Sequence, residues 1–325
     1  MSLATIMTKP TPIDATRASS PHRFTPEPTE STIVCGTDFS QHSTMAVDVA
    51  AALAKRLHER LVLVHALDSE AREPLPADVR DSLCLYERAQ LHDELERLGA
   101  EGITPIEAFD VGRPDTIILG AAAAHHARLV VISSKGRRPQ RRWALGRIAE
   151  KTAEAAPIPT LVVRAAAPFT AWAQGKRKLR IFVGADFSAP SDAALRWVGS
   201  LQQIGACEVV VAYLEPTVAL ESALDGCPSH LIEEMMARTE KIQARSFGQR
   251  VRSLLSPHRP RIRLEPGWGR SDAHLIQMAT EERADLIVVG THQRHGLSRL
   301  GHFSVSRGVL HYAPMSVACV PVTAG

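Results

Sequence analysis

Between an apolar run that begins at Leu129 and a helix-forming stretch lies a polar loop that contains Gly136 and Gly146. A loop that leaves a buried strand and feeds a helix presents unpaired backbone N–H groups at the positive end of the helix dipole, which is an anion-binding arrangement. Glycine in such a loop lets the backbone approach a ligand with no Cβ in the way. Arg137, Arg138, Arg141 and Arg142 add positive charge to the same stretch, although a solvated loop would account for them equally well. The chemistry this predicts is capture of a phosphate-bearing ligand. The run continues through a helix to Ala156-Pro157 and a β-branched strand ending at Val163, and it returns in altered form as Leu286 to Val320.

Other residues invite weaker readings. Asp38 and Asp186 each follow a short apolar run, precede a helix, and have a serine two residues on, so helix capping competes with ligand contact. His292, His295 and His302 lie close together, but no Cys or Asp accompanies them at ligand spacing, and no metal site is expected beyond any nucleotide-associated Mg. No aromatic residues are interleaved with the loop arginines, so no nucleic-acid partner is expected. His125-His126 reads as a favourable charge at a helix end. His65 and Tyr213 read as core side chains with satisfied polar tips, and Met235-Met236 as core in preference to a groove for a partner or lipid.

The elements that must position these groups follow from periodicity. Ile33 to Cys35 opens a strand, Ser43 to Leu57 has apolar residues at helical spacing, and Arg60 to Ala66 is too short and too uniformly apolar for an amphipathic helix. A helix from about Asp78 to Leu98, a strand from Ile103 to Val111 and a helix from Pro114 to His125 lead into the run described above. Strands alternating with helices predict an open, doubly wound parallel α/β sheet, with ligands beyond the carboxyl ends of its strands.

The chain has 325 residues, 45% hydrophobic and 22% charged, which suits a globular protein of two domains. Its net charge of +3 gives no general case for a polyanionic partner. Five cysteines without a C-x-x-C predict reduced thiols rather than disulfides or zinc. Residues 1–30 are rich in Pro, Thr and Ser and predict a disordered tail with no secretory signal. With no apolar run of about 18 residues, no membrane span is expected, and the expected location is cytoplasmic.

The pattern occurs twice. Asp38 and its neighbours match Asp186 and its neighbours at an offset of 148 residues, and Pro157 matches Pro314 at an offset of 157, so the second copy carries nine extra residues between Leu214 and Trp268. The expected layout is a domain over 31–165, a linker over 166–178 and a second domain over 179–323. Each copy ends on an apolar strand, and pairing the two exposed edges would hide both in an internal pseudo-dimer.

With its Gly-x-Asp-x-Ser start, its Val111-Gly112-Arg113-Pro114 turn and its loop–helix–Ala-Pro–strand finish, the chain resembles a tandem universal stress protein. That resemblance implies an adenine-nucleotide α-hydrolase-like, Rossmann-like fold with five strands per domain in the order 3-2-1-4-5, and in many members one ATP per domain. The family motif G-x2-G-x9-G-[ST] maps onto Ser133, Gly136, Gly146 and Arg147 in the first half, and onto Gly290, Gln293, Phe303 and Ser304 in the second. The resemblance also sets Asp38 and Asp186 against an adenosine, and Ala66 and Leu214 against its base. Serine is a mild replacement for the first glycine, and Arg147 offers a guanidinium where the motif has a hydroxyl. In the second half Gln293 and Phe303 place side chains where phosphates would lie. The expected function is a non-catalytic stress-response protein that binds ATP or ADP in its first half, with an unknown protein partner and homo-oligomers open. Rival expectations are an interaction scaffold that has lost nucleotide binding in both halves and, more remotely, an adenine-nucleotide-using enzyme. Slow incidental ATP hydrolysis is the most activity anticipated.

Overall fold

The computed structural model describes residues 31–68, 76–137, 145–215, 229–267, 269–291 and 305–322. The predicted tail lies outside them. The first half runs β1 (Thr32–Thr37), α1 (Gln41–Leu57), β2 (Arg60–Leu67), α2 (Ala77–Ala100), β3 (Ile106–Val111), α3 (Pro114–Ala124), β4 (Ala127–Ser133), α4 (Arg147–Ala155) and β5 (Thr160–Val163). The second half repeats the series as β6 (Leu179–Gly184), α6 (Ala189–Ile204), β7 (Cys207–Glu215), α7 (Ser229–Leu255), β8 (Arg261–Pro266), α8 (Ser271–Glu281), β9 (Leu286–Thr291), α9 (Val305–Tyr312) and β10 (Ser316–Pro321). Between the halves stands a short helix, α5 (Ala167–Ala173).

All ten strands join one sheet in the order β3-β2-β1-β4-β5-β10-β9-β6-β7-β8, so each half has the order 3-2-1-4-5. Within each half every pairing is parallel, whereas β5 and β10 pair antiparallel through Val162 with Val317, Leu161 with Ala318 and Thr160 with Cys319. The strands read as continuous apolar runs because both faces are covered. On one face Ile33, Leu61, Leu63 and Val131 pack with Val47, Ala50 and Leu53 of α1. On the other, Val34, Val62, Val64 and Ile132 pack with Ile118 of α3 and Ala149 and Ala153 of α4.

Several sequence expectations acquire physical detail. The nine extra residues divide into four more in the α7 approach than in the α2 approach, three in α7 itself and two between β8 and α8. Met235, read as core, is exposed, because α7 buries the stripe Phe247, Val251 and Leu255 instead. At His125 burial, then Arg60 and His126, push the pKa below the ordinary histidine value, which works against a charge at that helix end. Among the described residues the cysteines are free thiols, and burial, with Glu154 adding to it, raises Cys319 to about 12. No helix among the described residues is long and apolar enough to cross a membrane.

The stretch that joins the halves is itself packed. Phe169 and Trp172 of α5 are fully buried in the core cluster shared by both halves. A Cβ at Gly205, where α6 ends, would lie 2.5 Å from Trp172 Nε1, so the indole fills the space that glycine leaves. Replacing Trp172 by Ala should therefore lower stability by about 3–5 kcal/mol, read as an earlier urea midpoint of the whole chain. An unchanged midpoint would show that α5 merely tethers the halves.

Candidate functional site

The carboxyl ends of β1, β2 and β4 open into a cleft of about 620 Å³. β1 lies between β2 and β4, so this is the point where the strand order reverses and where an open α/β sheet leaves a crevice. The six first-half positions singled out in the sequence all line it: Asp38 beyond β1, Ala66 near the end of β2, Ser133 closing β4, Gly136 in the loop, and Gly146 and Arg147 where α4 begins. Its floor is apolar, with Val64, Ile118 and Ile132, and Lys135 and Arg147 bring positive charge to the lining. Gly146 occupies the N-cap of α4 in extended backbone (φ −68°, ψ 140°) with no side-chain cap. Its N–H donates to Ser134 O at 2.8 Å, and Ser133 Oγ donates to Lys135 O at 2.7 Å, which fixes the loop's departure from the sheet. Arg138, Arg141 and Arg142 lie outside the described residues.

Gly136 is explained by a neighbour inside the protein. A Cβ built there would stand 2.7 Å from Asp38 Oδ2, the same oxygen that accepts from the Arg137 backbone N–H at 2.7 Å. Asp38 Oδ1 accepts from Ser40 N at 3.1 Å, and the Ser40 hydroxyl caps α1. Thus Asp38 docks the phosphate-loop candidate onto the turn after β1, and glycine at 136 makes the approach possible. Phe39, in that turn, adopts the left-handed region at φ 58°. Its N–H donates to Thr37 Oγ1, and its ring lies 4.3 Å from the His65 ring centroid.

A buried polar chain runs beneath this loop. His65 Nδ1 lies 2.8 Å from Thr37 O, His65 Nε2 lies 2.7 Å from Glu87 Oε2, and Arg137 Nη1 donates to Glu87 Oε1 at 2.7 Å. Arg137 Nε also donates to the Asp38 carbonyl. Burial pulls the Glu87 carboxyl up, but the hydrogen bonds from His65 and Arg137 outweigh it and hold the group below the ordinary glutamate value. Both ring nitrogens of His65 are thus held by oxygen partners, one on the β1 backbone and one on α2. The chain therefore ties β1, β2, α2 and the loop into one connected unit behind the cleft.

The second half uses the corresponding positions differently. Asp186 is exposed at the head of α6, where Oδ1 accepts from Ser188 N at 2.8 Å and from Ser191 Oγ at 2.7 Å. Gly290 abuts α6: a Cβ there would fall 2.3 Å from the Pro190 carbonyl carbon. Where the first half has Phe39 and His65, the second has Phe187 and Tyr213, whose rings join Phe247 at centroid distances of 5.7 and 5.0 Å. An apolar ring cluster has replaced the polar chain. Ser304, with Gln293, Phe303 and the three histidines considered for metal, lies outside the described residues. Among the described residues no group of His, Cys, Asp and Glu is placed to hold a metal ion.

The family profile described as "Universal stress protein family" matches residues 31–164 and again residues 179–321. The chain belongs to the universal stress protein family. It is also similar to a universal stress protein of Thermus aquaticus, with 31% identity over 139 residues that span 41% of this chain and 98% of that protein. The crystal structure of a universal stress protein from Archaeoglobus fulgidus superposes with a TM-score of 0.66 over 90% of this chain and 98% of its own, at 17% identity. A protein of unknown function from Pseudomonas aeruginosa PAO1 gives a TM-score of 0.65 at 16% identity, covering 90% of this chain and 93% of its own. Both structures share the tandem layout almost end to end.

Within this universal stress protein, motif reasoning found the rim of the cleft and missed what lies behind it. Glu87 and its link to Arg137 were not anticipated. Glu87 shares the buried face of α2 with Leu91 and Leu98, but the weak apolar periodicity of that helix left no local signal of it. A group whose folded pKa is depressed contributes stability above its unfolded value, about 4.3 for glutamate, and loses it as pH falls through the lower folded value. Glu87→Gln should therefore be less stable than wild type at neutral pH, and the gap should narrow in urea melts stepped below that value. A constant gap at every pH would remove Glu87 from the ionised chain.

Proposed function

We propose that this protein acts in the stress response by holding ATP or ADP in the first-half cleft, non-catalytically, with the bound nucleotide biasing the paired halves toward a form that a partner protein reads. The observation that carries this reading is the meeting of Asp38, Ala66, Ser133, Gly136, Gly146 and Arg147 around one crevice at the switch point of the sheet. The apolar floor suits a base, while the uncapped start of α4 with Lys135 and Arg147 suits phosphates. Any Mg would arrive with the nucleotide. The second half, with Gly290 against Pro190 and rings in place of the polar chain, serves as a structural counterpart in an intramolecular dimer.

The protein, purified gently and then denatured, should release adenine nucleotide detectable by mass spectrometry, and stripped protein should give binding heat with ADP or ATP in calorimetry. Gly146→Phe should weaken that binding by roughly tenfold or more, equivalent to about 1.4 kcal/mol, without changing the circular dichroism. No released nucleotide together with no heat would favour an interaction scaffold. Equal binding by Gly146→Phe would move the nucleotide elsewhere.

A further inference from the structure

A second pocket, of about 350 Å³, lies where the halves meet. His42 at the start of α1, Lys135 after β4 and Arg164 after β5 approach it from the first half, and His311 and Tyr312 at the end of α9 approach it from the second. No Asp or Glu lines it. We propose that this junction is an anion site for a small phosphate-bearing molecule, separate from the nucleotide cleft.

Arg164 is the reason. Burial lowers its pKa, and no anion opposes that shift. Its Nη2 donates to Leu310 O at 2.9 Å, and its Nε is buried without a hydrogen-bond partner. Arg177 and Arg180 are also partly buried, yet both face Asp285, and Arg263 faces Glu265 and Glu282. Among the described residues no ion pair joins Arg164. A partly buried guanidinium with a buried, unpartnered Nε and no counter-charge is costly, and an oxyanion supplies the acceptors it lacks. The carboxylate of Glu150 does not serve, because Arg307 and His311 hold it at 2.6 and 2.9 Å.

The positive lining is not a by-product of the repeat. At the matching positions of the other half, Pro190 stands for His42, Pro321 for Arg164 and Glu154 for His311, and the Pro190 backbone packs directly on Gly290. Only the first half brings an arginine to the end of its last strand. The volume, just over half that of the cleft, favours a small anion over a second nucleotide.

Calorimetric titration of the full chain with inorganic phosphate, against chloride at matched ionic strength, tests the site. Wild type should bind phosphate, and Arg164→Met should bind it at least tenfold more weakly. His42→Glu, which places a carboxylate on the pocket wall without disturbing the Arg164 bond to α9, should weaken it comparably and stands in should Arg164→Met fail to fold. A parallel titration with glycerol 2-phosphate separates the sources: tighter binding of the ester assigns an esterified ligand, and tighter binding of inorganic phosphate assigns the free ion. No phosphate-specific heat in wild type overturns the site, as does wild-type binding by both pocket variants. Loss of binding in Arg147→Ala but not in Arg164→Met places the phosphate in the nucleotide cleft and also overturns it.

Discussion

The antiparallel pairing of β5 with β10 is the constraint on which the rest of the molecule depends. Each half alone would leave the edge of its last strand open, a row of unpaired backbone groups ready to join another chain. Three residue pairs close both edges at once and turn two sheets into one of ten strands. Because the pairing is antiparallel, the carboxyl ends of the two sets of strands face opposite ways. The end of β5 therefore meets the beginning of β10, as the bond from Arg164 N to Ser316 Oγ at 3.1 Å records. The first-half cleft and the junction pocket both border the loop after β4, and Lys135 lines each of them.

That geometry lets the two copies diverge. In the first half, buried Thr37, His65 and Glu87 form a polar chain that exposed Arg137 completes, holding the loop against Asp38. A chain of this kind is costly unless every member is satisfied, and here each has a partner. In the second half, rings replace the chain and α6 closes directly on Gly290. One copy keeps an open crevice with an apolar floor and a charged rim, and the other contributes packing and an edge.

The strand and helix order was legible because each strand is an apolar run too short for a helix, and helices fall between them at regular intervals. The duplication then gave the register, since an offset that holds from Asp38 to Asp186 and another that holds from Pro157 to Pro314 leave little freedom in between. What escaped was long-range. Gly136 was read as room for a phosphate, but it also makes room for the Asp38 carboxylate, 99 residues away from Arg137 in sequence. Glu87 lies in a helix whose apolar periodicity is weak, so its burial could not be inferred locally. The stretch before β6 read as a linker from its alanines, while Phe169 and Trp172 within it are core. Arg164 gave no local signal, because the pocket it enters is made by residues some 150 positions further on.

Photo-crosslinking with an azido-adenine ATP analogue, followed by peptide mapping, tests the central claim most directly. Label is expected on first-half peptides that line the cleft around Ala66 and Val111, competed away by unlabelled ADP or ATP. Label confined to residues 179–322, or label that ADP and ATP fail to displace, would contradict it.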